Sequence, residues 1–308
     1  MALVWPVASA SAVAAATQEP PPPPRMPGRQ PPPPGDSPFA PGQQSAKQLV
    51  KMRMAADVTR IAPGEKFHLA FIFDVEPHWH IYWQNAGASG TPTEISIKAP
   101  PGFTIGRTLF PRPQIIDSPE GETYGYETQT LLLVEVTAPR EAMPQVGFNA
   151  KASWLVCKDI CKMGSASETL SLPFGSSTLP DGTGQTIDPL VETYKPRLPT
   201  PLKGVKAAEA QFDGTTLTLN VPAKQFDGAQ FFPHDTPGVE YGEAHAEKSG
   251  AFVRVSVPIA IKPQNALGKP LRLAGVVGLG TSQEDPCYEF EIPLDAEGRP
   301  TSGIASSR

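Results

Sequence analysis

Beyond Lys47, proline and glycine interrupt the chain so often that its apolar residues fall into short runs, and this limits the fold more than any other feature. No long segment carries a helical period with caps at its ends, and Asp188 to Tyr194 is good for one short helical turn at most. The runs Phe67–Val75, Glu94–Lys98, Thr130–Thr137, Gln145–Trp154 and Glu168–Pro173 alternate or concentrate apolar and β-branched residues as strands do. After a stretch rich in Gly, Thr, Ser and Pro, the pattern resumes at Thr215–Val221, Ala251–Ile261, Leu271–Val277 and Cys287–Leu294. The expectation is an all-β chain: one β-sandwich over residues 47–175, a linker over 176–203 and a second, smaller sandwich-like β domain over 204–295. Residues 296–308 read as a flexible tail.

Ahead of the first sandwich, residues 1–16 are apolar, rich in small side chains and end in Ala14-Ala15-Ala16, which reads as a secretory signal without the usual basic start. Residues 17–46 include the proline runs Pro20–Pro24 and Pro31–Pro34, which favour extended polyproline II and bury nothing, so they read as a disordered tether. A length of 308 residues suits two domains once this leader is subtracted. The net charge of -5 argues against a phosphate-binding face, because nucleic-acid binders concentrate Lys and Arg. Past the leader no apolar run reaches the ~20 residues that span a bilayer as a helix.

The chain has 3 cysteines, Cys157, Cys161 and Cys287, too few for a disulfide-stapled scaffold. Residues four apart on a straight strand are about 13 Å from one another, beyond disulfide reach, so Cys157 and Cys161 meet only if Lys158-Asp159-Ile160 turns the chain. A ring this small adds a modest loop-entropy term, which favours redox use over a staple, although an inert disulfide in an exported protein fits the spacing too. Lys158 and Lys162 favour a thiolate and Asp159 opposes one. Cys287, beside Pro286 and Tyr288, reads as a half-buried thiol.

The segment Trp154-Leu-Val-Cys-Lys-Asp-Ile-Cys161 resembles the redox motif of the N-terminal periplasmic domain of DsbD and ScsB-type thiol:disulfide interchange proteins. Trp79-His-Ile-Tyr-Trp-Gln-Asn-Ala-Gly-Ala-Ser-Gly-Thr-Pro92 looks like that family's aromatic–glycine motif, and Phe110-Pro-Arg-Pro113 and Tyr124-Gly-Tyr-Glu127 look like its central ones. The resemblance spans Gly64 to Pro173 and is weaker beyond. It implies an immunoglobulin-like sandwich in the periplasm of a Gram-negative bacterium, with Cys157 and Cys161 as the redox pair. Electrons would arrive from a membrane donor of the DsbD/CcdA type and leave to oxidised thioredoxin-fold proteins, with no cofactor. The Tyr124-Gly125-Tyr126 segment would cap the pair, Gly125 acting as a hinge. Two departures stand out: the family's transmembrane conduit and thioredoxin domain are missing, and Met163 stands where proline is common.

His78 and His80 flank Trp79 and would share a strand face, as a metal pair or as packed, hydrogen-bonded side chains. Copper(I) on Cys157, Cys161 and one histidine, in a copper-tolerance sandwich, is the alternative function, alongside a non-catalytic binding module with a structural disulfide. No G-x-S-x-G elbow is present, and Gly278-Leu-Gly280 lacks the rest of a dinucleotide fingerprint.

Overall fold

A computed structural model describes residues 45–141, 145–175, 187–262, 271–295 and 297–301; the expected leader and nearly all of the proline tether lie outside these. The first sandwich opens with a short helix, α1 (Ala46–Leu49), and continues through β1 (Val50–Ala56), β2 (Lys66–Val75), β3 (His80–Gly87), β4 (Glu94–Lys98) and β5 (Thr104–Leu109). β6 (Gln114–Ser118), β7 (Gly121–Glu127), β8 (Gln129–Thr137), β9 (Gln145–Cys157) and β10 (Cys161–Pro173) complete it. One sheet has the order β1-β2-β8-β5; the other runs β10-β9-β3-β7-β6, with β4 also paired to β9.

β2 shows why this sheet needs cover on both faces. Phe67, Leu69, Phe71 and Phe73 point into the sandwich core, while Ala70 and Ile72 point outward, and all six are buried. The outward pair lies under the helix α2 (Pro189–Tyr194), whose Val191 and Tyr194 complete that outer cluster with Leu131 and Leu133 of β8. Continuous apolar runs are the mark of a sheet buried on both sides. The segment expected as a linker is therefore packed from its described start. Asp188 caps α2 by accepting from Leu190 N (3.0 Å) and pairs with Arg53, and Tyr194 Oη donates to Gln129 O (2.8 Å).

The second sandwich comprises β11 (Thr200–Pro201), β12 (Glu209–Phe212), β13 (Thr216–Pro222), β14 (Ala229–Pro233), β15 (Val239–Tyr241), β16 (His245–Ser249), β17 (Phe252–Ile261), β18 (Arg272–Leu279) and β19 (Cys287–Pro293). Its sheets have the orders β11-β19-β18-β14 and β12-β13-β17-β15, with β16 also on β17. Alternation buries Leu217, Leu219 and Val221 of β13 against Val253, Val255 and Val257 of β17.

The two sandwiches share apolar surface. Phe232, Val276 and Cys287 belong to the second by sequence but pack into the core of the first. The Trp83 and Tyr124 rings meet Phe232 edge-on at 6.1 and 5.4 Å. Arg112, from the loop between β5 and β6, is 1% exposed and donates to Gly280 O (2.7 Å), Gln230 Oε1 (2.9 Å) and Leu279 O (3.3 Å) of the second sandwich. Arg107 forks onto Glu289 (2.6 and 2.8 Å), and Asn85 Nδ2 donates to Pro233 O (2.8 Å). No helix among the described residues is long and apolar enough to cross a membrane.

Candidate active site

β9 and β10 form one antiparallel hairpin, in register from Pro173 opposite Gln145 to Cys161 opposite Cys157. Lys158, Asp159 and Ile160 close it, with Lys158 N donating to Ile160 O (3.1 Å). The turn brings the two Cα atoms to 4.2 Å, and the cysteines are joined as a disulfide. Gly164, opposite Trp154, lets the indole lie flat across the hairpin: a Cβ there would come within 2.4 Å of Trp154 Nε1.

The two sulfurs have different surroundings. Cys157 is 2% exposed, whereas Cys161 is exposed and flanked by Ile160 and Met163, at 51% and 79% exposure. Lys162 Nζ lies 5.9 Å from the centre of the Trp79 ring. Alternation along β9 sends Trp154 and Val156 into the sandwich core and leaves Cys157 on the opposite face, packed with Tyr82, Ala86 and Leu155.

Two further side chains join this face from β3. His80 is the register partner of Cys157 and is 9% exposed; its Nε2 lies 3.2 Å from Tyr82 Oη, with the rings edge-on at 5.1 Å. Burial lowers the His80 pKa against the opposing pull of Glu127, its partner on β7. Burial raises the Tyr82 pKa, and Glu120 adds to the rise while a hydrogen bond with Ser89 opposes it. Gly90, with a φ of 105°, lies beneath the Tyr82 ring, where a Cβ would sit 2.3 Å from a ring carbon. The sequence offered a histidine beside the cysteines only as a copper ligand and did not offer Tyr82 at all, although the period-two spacing in Trp79-His-Ile-Tyr-Trp83 already puts His80 and Tyr82 on one face.

The segment expected to cap the pair lies elsewhere. Tyr126 is register partner to Ile81 and fills the sandwich core, its Oη donating to Pro111 O (2.7 Å). Tyr124, two residues away on the same face, packs on Trp83 and Phe232 at the junction of the sandwiches. Both rings thus project from the face opposite Cys157, and the tyrosine packed against that sulfur is Tyr82. Gly125 does face the same side as Tyr82, but its role is close approach: a Cβ there would be 2.3 Å from Ile81 O.

His78 has a φ of 68° in the turn before β3, where Trp79 N donates to Glu76 O (3.0 Å), so it shares no strand face with His80. Among the described residues no group of three or more His, Cys, Asp or Glu is arranged to hold a metal ion. Cys287 is a buried free thiol whose Sγ lies 3.6 Å from Arg197 O, and burial pushes its pKa up to about 12.

Residues 46–173 match the family described as thiol:disulfide interchange protein DsbD, N-terminal. The N-terminal periplasmic domain of ScsB from Proteus mirabilis is 17% identical, with a TM-score of 0.53 over 80% of this chain and 93% of that one, a likeness of fold that takes in both sandwiches. The reduced DsbD N-terminal domain of Neisseria meningitidis is 12% identical over 41% of this chain and 86% of its own, with a TM-score of 0.27. No curated protein matches the chain.

Proposed function

Because residues 46–173 match the family of DsbD N-terminal domains, we propose that this chain carries out thiol–disulfide exchange through Cys157 and Cys161. The observation that carries the reading is the asymmetry of the pair at a hairpin tip: one sulfur buried, the other exposed between two uncovered apolar side chains. In the reduced protein the Cys161 thiolate attacks a partner disulfide, joining one partner sulfur to Cys161 and releasing the other as a thiolate. Cys157 then attacks the Cys161 sulfur, closes the intramolecular disulfide and releases the second partner sulfur. Two electrons pass to the partner, and a membrane-embedded dithiol donor of the DsbD/CcdA type restores the pair. The acceptors are thioredoxin-fold proteins, and the compartment is the periplasm of a Gram-negative bacterium. Ile160 and Met163 supply the apolar rim such a partner covers.

The test pairs a redox titration with trapping. Cys157→Ser, which leaves Cys161 without a resolving thiol, should accumulate a mixed disulfide with an oxidised thioredoxin-fold probe, and Cys161→Ser should not, since Cys157 is buried. A potential below about -300 mV together with no exchange would mark a structural bond and overturn the reading.

A further inference from the structure

The resolving step poses a problem that the exposed sulfur does not share. To close the disulfide, Cys157 must attack as a thiolate. Cys157 as a whole is only 2% exposed, so bulk water and buffer have little access to its proton. Burial among Tyr82, Ala86 and Leu155 also disfavours the anion. Register and packing put the His80 imidazole and the Tyr82 hydroxyl beside it on this face, with Glu127 on the far side of His80. Directly opposed residues on one face of an antiparallel pair hold their Cβ atoms about 5 Å apart, and Cys157 and His80 are such a pair.

We propose that His80 is the proton acceptor for Cys157 in the ring-closing step, with Tyr82 as the positioning residue that fixes its tautomer. This rests on the reading of Cys157 and Cys161 as a redox pair. His80 Nε2 and Tyr82 Oη lie 3.2 Å apart, and in the tautomer this step uses Nε2–H donates to Tyr82 Oη, so that Nδ1 keeps its lone pair for the thiol. The proton passes from Cys157 Sγ to His80. The thiolate attacks the Cys161 sulfur of the mixed disulfide, the Cys161–partner S–S bond breaks, and the partner sulfur leaves as a thiolate with the electron pair. The proton on His80 then goes to that thiolate or to water, so His80 ends neutral and the partner ends reduced. In the reverse direction, protonated His80 supplies the proton that the displaced Cys157 thiolate takes up.

The surroundings suit a base. Glu127 on β7 favours the protonated form of His80, and Glu120 from the turn between β6 and β7 acts on Tyr82. On the hairpin side, Lys162 is drawn to the Trp79 ring. Burial outweighs Glu127, so the imidazole is neutral and ready to accept at ordinary pH.

The experiment is stopped-flow reaction of the fully reduced chain with the aromatic disulfide dithiobis(nitrobenzoate). Attack by Cys161 releases one coloured thiolate, and ring closure by Cys157 releases a second, so the two steps appear as separate phases. In His80→Gln the first phase should stay within about twofold while closure slows by about 10²-fold, the lower range for a general base. In the natural protein, closure should be flat between about pH 6.5 and 8.5, whereas an unassisted thiol would quicken about tenfold per pH unit up to its own pKa. Tyr82→Phe, which keeps the ring in place, should slow closure alone and by less. An unchanged closure rate in a folded His80→Gln, or a closure rate in the natural protein rising tenfold per unit across that range, overturns the proposal. The second of these measurements does not depend on any variant folding. Failure to release a second thiolate at all would instead overturn the redox reading itself.

Discussion

Removing the Arg112 side chain should uncouple the two sandwiches. Its guanidinium leaves the first sandwich and ends among Gly280 O, Gln230 Oε1 and Leu279 O of the second, at 2.7, 2.9 and 3.3 Å. Hydrogen bonds to a charged group are worth about 1.5–3 kcal/mol each, and truncation leaves their acceptors with nothing to accept from. Against this stands desolvation of a guanidinium whose Nε has no partner and whose pKa burial lowers. With two short bonds and two long ones, the second of these to Asp285 O at 3.5 Å, set against that cost, Arg112→Ala should lose about 3 kcal/mol, a large value for one residue. Urea unfolding followed by tryptophan fluorescence should show this as a midpoint lowered by about 1 M for a slope near 3 kcal/mol/M, or as one transition splitting into two. Gly278→Ala attacks the same contact from the other side, since its Cβ would lie 2.2 Å from Arg112 Cζ. In the double variant that clash is gone, so the two losses should fall well short of additive. A loss under about 0.5 kcal/mol for Arg112→Ala, the scale of an ordinary surface change, would refute the reasoning.

His234, which meets Gln84 at 2.7 Å and Trp83 at 5.5 Å, should make the junction acid-sensitive. Burial lowers its pKa from 6.5 to about 4, so below pH 6.5 the unfolded chain takes up the proton first. Its contribution is complete above pH 6.5 and falls by up to about 1.4 kcal/mol per unit as the pH drops towards 4; His234→Gln should flatten that part of the stability profile. Cys287→Ala should leave exchange activity intact, and in the folded protein Cys287 should resist alkylation at pH 8, where a thiol raised to about 12 is protonated; loss of exchange in a folded Cys287→Ala would show that the pair alone does not carry it. Tyr82→Ala should speed reaction of Cys157 with small oxidants by uncovering the sulfur, whereas Tyr126→Ala should cost about 3–5 kcal/mol of core stability and leave the intrinsic oxidation rate alone; the reverse pattern would restore the cap to Tyr126.

Strands with an apolar face written into consecutive or alternating positions were legible from sequence to within a residue or so, as with β4, β8 and β17. β10 was legible only at its end. Expected from Glu168, it begins at Cys161, because its first half carries Lys162, an exposed Met163, Gly164 and Ser165 and owes its conformation to pairing with β9. α2 was legible as one short turn over Asp188 to Tyr194, but not as a packed part of the fold. Its six residues are too few for a helical period, and what makes it structural is the outer face of β2 and β8, which local sequence does not describe. The doubly apolar run in β2 was the available sign that something covers that face.

For the site, the cysteine spacing demanded a turn, and the hairpin supplies it. The partners of the pair were a different matter, because they depend on which face of β9 the sulfur takes and on the register of β3 against β9, both long-range facts. Period two says that Tyr124 and Tyr126 share a face; it does not say which face Cys157 shares. Once that parity is fixed, β3 divides cleanly: His80 and Tyr82 turn to the sulfur, while Ile81 and Trp83 turn to the core and the second sandwich. One strand thus holds the redox chemistry on one side and the junction on the other. Trp83 is locked between Tyr124 and Phe232, with Gln84 and Asn85 bonded to the second sandwich just beyond it. Docking of the second sandwich therefore fixes the far end of the strand that aims His80 and Tyr82 at Cys157, which gives that sandwich a physical bearing on the site although the residues packed with Cys157 belong to the first.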